Sequence, residues 1–498
     1  MMTQLLYLLP ISIIAIGAFT VMLISNSRIS LTRLNIYTVA FLVASLIIQL
    51  FTLGDVEGIY LFEDVFGKTF IFDNFASIFN LMFTIGAILT LLINNEYFKN
   101  RHYFSGEYFA LILFSVFGMM VLSHAQELVT AFIGLEIASL SVYALVGYNK
   151  SRKVSAEAMM KYIILGSMTG AFYMLGTALI YGAVGSTNFL NIADYVHSMD
   201  LSNINMLIIG ATFIMVTIMF KIGAVPFHSW VLDIYHGAPY PITMFMASIF
   251  KIAIFAIALR LYIVMFASIN SIWIEVMQIL TVLTLLGGSW LAINQVLVKR
   301  MLAASSIVHT GYLLIAISSI GLGSNIAAPA VMFYLIAYFL SAVGSFGILS
   351  FIATTKKKQM SYDDFKGFAQ RRPYMALMMT IFMLSLAGFP STIGFLGKFY
   401  IFTAAIESGQ LVLAGLGILT AFISVYYYFK LIAMMYFYDT ADGEDSNKKG
   451  FPVNISTVLI VIISLTIIWG GIGTSLIPYI PGPDGFIDIA TKAIGSLN

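Results

Sequence analysis

The sequence contains no cysteine, and only 10% of its 498 residues are charged. Iron–sulfur clusters need cysteine thiolates, as do thiolate-bound structural zinc ions, so the chain is read as holding neither. Its six histidines include no close, ligand-spaced pair within one helical stretch, which argues against a haem or metal site. If electrons flow in this system, they flow in another chain. Charge is scarce because apolar residues dominate. A soluble chain of this length devotes about a quarter of its residues to charge and keeps apolar content near half. Here 60% are hydrophobic, mean hydropathy is +0.95, and the net charge of +2 is scattered too thinly to bind nucleic acid. A bilayer supplies the missing apolar solvent, since a spanning helix needs about 20 apolar residues. The fold class is an all-α polytopic membrane protein.

Apolar runs bounded by polar loops predict about fourteen transmembrane helices. The first eight fall near Leu5–Ile24, Leu34–Leu53, Phe72–Ile93, Tyr108–Ser123, Leu128–Gly147, Met159–Gly182, Met206–Trp230 and Pro241–Val264. The rest fall near Ile272–Ile293, Met301–Ile320, Ala327–Ile352, Tyr374–Ile406, Leu411–Phe437 and Ile455–Ile477. The first run lacks Lys or Arg ahead of it and is too long for a signal-peptide core, so it reads as a retained helix. Lys and Arg accumulate in cytoplasmic loops, and here they occupy every second loop. They are Arg28 and Arg33; Lys99 and Arg101; Lys150, Arg152 and Lys153; Lys299 and Arg300; Lys356, Lys357, Lys358, Lys366, Arg371 and Arg372; and Lys448 and Lys449. The opposite side has only Lys68, Arg260 near a span end and Lys492, with an acidic loop at Asp55–Asp64. Both termini are therefore expected on the outer, periplasmic side. The loop after the seventh span breaks the pattern by carrying no Lys or Arg.

Charges inside the spans are the sharper signal. An ionised side chain at the bilayer centre costs about 2.5–3.5 kcal/mol on insertion scales, so such groups face the bundle interior and mark ion or proton pathways by default. Lys161, Lys221, Lys251, Lys398, Lys430 and Glu136 lie within hydrophobic runs, while Glu275 is near enough to a span end to be interfacial. For Lys161 a pathway role stands evenly against two plainer readings: Glu157 four residues earlier offers a helix-face ion pair, and the side chain can also snorkel. Snorkelling is the better account of Lys430. Glu136 is too short to reach the interface, and Lys251 has no charged neighbour in sequence; for both, a proton pathway outweighs a structural ion pair. His309 sits mid-span among hydroxyls, as a pathway group or as a neutral histidine bonded to backbone. His228 is expected near an interface.

Two spans are predicted to be broken. The seventh places Lys221 little more than a turn before Pro226, and the twelfth places Lys398 about two turns after Pro390. The twelfth, at roughly 32 residues, is too long for a straight span of about 30 Å. A proline frees the carbonyl four residues earlier, which means Ile222 and Leu386 here. Unwound backbone survives at membrane depth only beside protein or water, and transporters place sites at such breaks in matching positions of repeated halves. Spans four to eight and nine to thirteen are accordingly read as two inverted five-helix repeats. The expected units are residues 1–106 (helices 1–3), 107–265 (first repeat), 266–438 (second repeat) and 439–498 (a loop and helix 14).

The motifs Gly-Leu-Glu-Ile-Ala-Ser-Leu from Gly134, Phe-Lys-Ile-Gly-Ala-Val-Pro-Phe-His-Ser-Trp from Phe220 and Tyr-His-Gly-Ala-Pro-Tyr-Pro-Ile-Thr from Tyr235 resemble those of one family. Lys-Arg-Met-Leu-Ala-Ala-Ser-Ser-Ile-Val-His-Thr-Gly-Tyr from Lys299 and Gly-Phe-Leu-Gly-Lys-Phe-Tyr from Gly394 extend the resemblance from about Phe109 to Phe437. The family is the antiporter-like subunits of complex I (NADH:quinone oxidoreductase) and of multisubunit Na⁺/H⁺ antiporters. Lys251 in the eighth span, Lys398 rather than glutamate in the twelfth, and a chain ending soon after span fourteen resemble its N-type branch; His236 departs slightly from that pattern. The resemblance implies a translocase subunit that couples quinone reduction elsewhere to proton pumping, in the bacterial inner membrane. It implies a proton pathway of Glu136, Lys161, Lys221, Lys251, His309 and Lys398, with Glu136 modulating Lys221, Lys251 bridging the halves and Lys398 facing the outer exit. No cofactor is expected in this chain; NADH, FMN, Fe–S clusters and quinone are expected in partner subunits. The implied neighbours are M-type and K-type membrane subunits and the lateral helix of an L-type subunit. An antiporter subunit or a membrane-bound hydrogenase subunit is the alternative.

Overall fold

A computed structural model describes residues 2–27, 29–54, 58–60, 63, 67–99, 101, 103–197, 204–266, 270–354, 360–439, 454–472 and 482–497. Arg28, Lys356, Lys357, Lys358, Lys448 and Lys449 of the basic-loop pattern, together with Asp55 and Asp64, lie outside the described residues. So do 440–453 and 473–481 of the expected C-terminal unit, including the end of its predicted span.

The main helices are α1 (Met2–Ser25), α2 (Leu31–Thr52), α3 (Asn74–Ile93), α4 (Glu107–His124), α5 (Leu128–Val146), α6 (Lys153–Val184) and α7 (Ile204–Ile222). After a short helix α8 (Ser229–Gly237) comes α9 (Tyr240–Met265), which includes two π-helical turns. Then follow α10 (Asn270–Ile293), α11 (Val298–Ile320), α12 (Ala327–Ala353), α13 (Pro373–Ala387), α14 (Ile393–Glu407), α15 (Leu411–Phe437), α16 (Ile455–Ile472) and α17 (Pro483–Gly495). A two-residue hairpin pairs Ile59 with Phe72 and Tyr60 with Ile71 ahead of α3.

Among the described residues, 13 helices are long and apolar enough to cross a membrane. The twelfth predicted span is instead two helices of 15 residues each, α13 and α14. Gly388 ends the first at φ +83°, and the Thr392 side chain caps the second by accepting from the Phe395 amide. The predicted seventh span, Met206–Trp230, likewise stops at Ile222, and the chain resumes as α8 at Ser229.

Helices pack closely where side chains are smallest. A β-carbon on Gly118 would meet the Ala138 amide nitrogen at 2.4 Å, and one on Gly134 would meet that of Leu122 at 2.6 Å, so α4 and α5 approach backbone to backbone. Small residues make such contacts because hydrocarbon gives helices no hydrophobic drive toward each other. The bundle is graded from inside to outside. The core windows of α9 and α11 are 100% buried, against 33% for α1 and α2. Large apolar side chains such as Trp290, Phe422 and Phe437 point outward, as lipid solvent requires. The two fully buried helices carry Lys251 and His309.

Candidate proton pathway

Lys221 ends in the last turn of α7, 2% exposed. Its ammonium donates to Ser139 Oγ at 2.8 Å and to the Tyr143 hydroxyl at 2.9 Å. Glu136, Ser139 and Tyr143 are spaced i, i+3, i+7 and so share one face of α5. Glu136 stands about a turn along that face from the lysine and is not ion-paired with it. Its Oε1 is buried and makes no hydrogen bond, and it faces Gly170 of α6, where a β-carbon would come within 3.1 Å.

The chain break beyond Lys221 supplies the next link. The Ile222 carbonyl lies 3.0 Å from Thr310 Oγ1, which is also 3.1 Å from the Ser306 carbonyl. That same Ser306 carbonyl accepts from Lys251 Nζ at 2.5 Å. Lys251 is 5% exposed and lies 5.5 Å from the centre of the Tyr338 ring. An ammonium this dry keeps its charge tolerable only through such carbonyl and ring contacts.

His309, one residue before Thr310, turns into a box of tyrosines. Its Nδ1 lies 2.5 Å from the Tyr334 hydroxyl and its Nε2 3.0 Å from that of Tyr428. In the neutral ring one nitrogen donates and the other accepts, so the imidazole can pass a proton by exchanging those roles. Tyr312 stands edge-on to both His309, at 5.8 Å, and Tyr334, at 6.2 Å between centroids. Lys398 Nζ is 4.9 Å from the centre of the same Tyr312 ring. At 4% exposure it donates to the carbonyls of Leu386, at 2.9 Å, and Ala387, at 2.8 Å. The carbonyls freed where α13 stops thus hold the lysine of α14.

Lys161 is not drawn into this axis. Its side chain is 44% exposed and bridges Glu157 Oε1, at 2.8 Å, and Asp233 Oδ2, at 3.0 Å. Arg300 Nη1 reaches the other Asp233 oxygen at 3.3 Å. Burial pushes the Asp233 carboxyl up, but the Lys161 and Arg300 cations outweigh it and hold the group below the usual carboxylate range. These two cations reach in from neighbouring helices to the one basic-side loop that has none of its own. Lys430 lies 4.6 Å from the Tyr362 ring centre, and Glu275 is exposed.

Two charged residues are placed otherwise than the sequence indicated. Lys299, read as a loop lysine, is 4% exposed inside the first turn of α11 and donates to the Ala238 carbonyl at 2.5 Å. Arg260 is 1% exposed and forms a two-pronged pair with Asp73, at 2.8 and 3.0 Å. Sequence reasoning also passed over Ser139, Tyr143, Ser306, Thr310, Tyr334 and Tyr428, because hydroxyls carry no insertion penalty large enough to stand out. The spacing of Ser139 and Tyr143 from Glu136 was the available signal. Among the described residues, no group of three or more His, Cys, Asp or Glu side chains is placed to hold a metal.

Residues 125–424 match the model of a family described as NADH:quinone oxidoreductase/Mrp antiporter, transmembrane. The chain is 39% identical over 394 residues to NADH-quinone oxidoreductase subunit N of Trichlorobacter lovleyi, covering 79% of this chain and 80% of that one. It is similar to a chain in the structure of respiratory complex I from Thermus thermophilus with bound aureothin, with a TM-score of 0.77, 26% identity and coverage of 94% and 98%. A chain of the Mrp complex from a Dietzia species shares the fold, with a TM-score of 0.84 at 18% identity and coverage of 99% and 97%.

Proposed function

The chain belongs to the antiporter-like membrane-subunit family of NADH:quinone oxidoreductase and is a proton-translocating membrane subunit of that enzyme; from this we propose that protons cross it along the axis Glu136–Lys221–Lys251–His309–Lys398. One observation carries the assignment. Three lysines, each at most 5% exposed, lie against one helix with a fully buried core, α11: Lys251 bonds its Ser306 carbonyl, the Ile222 carbonyl beside Lys221 accepts from its Thr310, and Lys398 lies over its Tyr312 ring. Three such charges would cost roughly 7–10 kcal/mol in insertion energy, comparable with the stability of a whole domain. A fold that needed only packing would place leucine there.

The chemistry follows from the partners. An ammonium that passes its proton to a neighbouring base becomes a neutral amine, which its dry surroundings favour. Movement of Glu136 toward Lys221 restores the charged form. The carboxylate starts a turn away, so a small shift of α5 against α7 is enough to alternate the two states. Each change of charge biases the next lysine along the axis, and His309 relays between Lys251 and Lys398 through its tyrosines. Lys161 acts at the surface end of this route through Asp233. The two halves of the conduit are the stretches 107–265 and 266–438. Both termini face the periplasm, and the chain sits in the bacterial inner membrane between M-type and K-type neighbours, braced by the lateral helix of an L-type subunit. NADH, FMN, Fe–S clusters and quinone belong to partner subunits, which supply the redox energy.

Lys221→Ala in the assembled complex tests this directly. The variant is expected to keep assembly and lose most proton pumping per electron, measured in inverted membrane vesicles. Lys221→Arg is expected to fail as well, because arginine does not deprotonate. Wild-type pumping in either variant would overturn the assignment.

A further inference from the structure

Among the described residues, Lys299 is the one buried lysine that the pathway above leaves unused. It stands in the first turn of α11, next to Arg300 in the chain and within electrostatic reach of Arg152. Its side chain turns inward: Nζ donates to the Ala238 carbonyl at 2.5 Å and lies 4.5 Å from the centre of the Tyr240 ring. Those contacts fix it against the turn between α8 and α9. The same turn is tied to α6 by Ser155, whose hydroxyl donates to the Gly237 carbonyl at 2.7 Å.

On its outer side Lys299 borders charge. Arg300, the next residue, pairs with Asp233 on α8, and Asp233 pairs with Lys161. Arg152 and His236 lie close enough to interact with it electrostatically. On its inner side it leads to the conduit. Ser306 and Thr310 follow Lys299 by seven and eleven residues, two and three turns, and therefore lie on the same stripe of α11. The rise from Lys299 to Ser306 is about 10 Å. Tyr235, three residues before Ala238, directs its hydroxyl to Ser306, and the Ser306 carbonyl holds Lys251.

We propose that Lys299 is a further proton-carrying residue of the conduit, the group through which protons pass between the charged surface around Asp233 and the Ser306–Lys251 centre. In one passage the Lys299 ammonium gives up a proton toward Lys251 along the Ser306 stripe of α11, and is left as a neutral amine. It regains the proton from the surface side, so the group returns unchanged. Lys299→Ser306→Lys251 then forms a branch that meets the Lys221 branch at the same Ser306 carbonyl. The inference rests on the conduit reading and adds its entry group.

The test uses the assembled quinone-reducing complex with two substitutions at this position. Lys299→Arg keeps the charge, the carbonyl hydrogen bond and the ring contact, so a structural lysine is replaced without loss. A proton carrier is not, because arginine stays protonated, and the variant is expected to lose most proton uptake per electron. Lys299→His keeps a titratable group with an ordinary pKa near 6.5 rather than about 10.4. It is expected to pump, with its pH profile moved to lower pH. Wild-type pumping by Lys299→Arg overturns the inference. If the arginine variant does not assemble, the histidine variant decides, and an unshifted pH profile overturns it. Lys221→Ala run alongside separates the two levels. If it fails to pump while Lys299→Arg pumps normally, only the entry group is wrong; if both pump normally, the conduit itself is.

Discussion

At the scale of single residues, the interior cations divide into two kinds according to their partners. Among the described residues, Lys221, Lys251, Lys299 and Lys398 donate to hydroxyls and carbonyls, neutral groups that accept a hydrogen bond without fixing the charge. Arg260 instead faces the Asp73 carboxylate through a hydrogen bond from Nη2 to Oδ1 and an ion contact from Nη1 to Oδ2, and arginine does not exchange its proton. The first arrangement can cycle and the second is a clasp. Breaking a buried pair by removing one partner costs about 3–5 kcal/mol, so Arg260→Ala should sharply lower the melting temperature of the solubilised complex. An unchanged melting temperature would show that the clasp carries no stability. A pH effect belongs at this scale too. Burial, together with Lys299, Arg300 and Arg152, pulls His236 from 6.5 down to about 4, against the opposing pull of Asp233. Between those values the unfolded chain binds more protons than the folded one, so stability rises with pH across that window and falls on acidification. A His236→Gln variant should show a shallower fall in melting temperature between pH 6.5 and 4; an equal slope would remove His236 from the account.

Among the helices, those that stop short matter most. Where α13 ends at Gly388, the carbonyls of Leu386 and Ala387 lose their helical donors and take Lys398 instead. Pro390 made the freed Leu386 carbonyl legible from sequence. That the receiving donor is Lys398, twelve residues on, depends on how α14 folds back. At the other break the same rule identified the Ile222 carbonyl, but its donor is Thr310 of α11, which no local pattern indicates. Gly388 itself is at φ +83°, a conformation costing an L-residue about 1–2 kcal/mol, and a β-carbon there would lie 2.8 Å from Lys398 Cδ. Gly388→Ala should therefore displace the lysine and depress pumping while the complex still assembles. Pumping at the wild-type level would mean that Lys398 does not depend on this break.

For the whole molecule, the arrangement predicts dependence in series. If Lys221 and Lys398 stand on one route, removing either interrupts it, and a Lys221→Ala, Lys398→Ala double variant should pump no worse than the more impaired single one. Groups that act as a unit are non-additive in this way; multiplied losses in the vesicle assay would show two independent routes. The amino-acid sequence alone determined the solvent, the spans and the rare interior charges, because hydropathy over about 20 residues and the cost of a charge in hydrocarbon are local quantities. It also marked both breaks, since a proline's missing donor is read from one position. Tertiary structure decided which groups each cation meets. Lys161 lies on the surface with Asp233, Lys299 turns inward from what reads as a loop, and Ser306 gathers Lys251 and Thr310 at one carbonyl. Contacts of that kind join helices far apart in the chain, and periodicity within a helix gives its faces without naming the neighbour each face will meet.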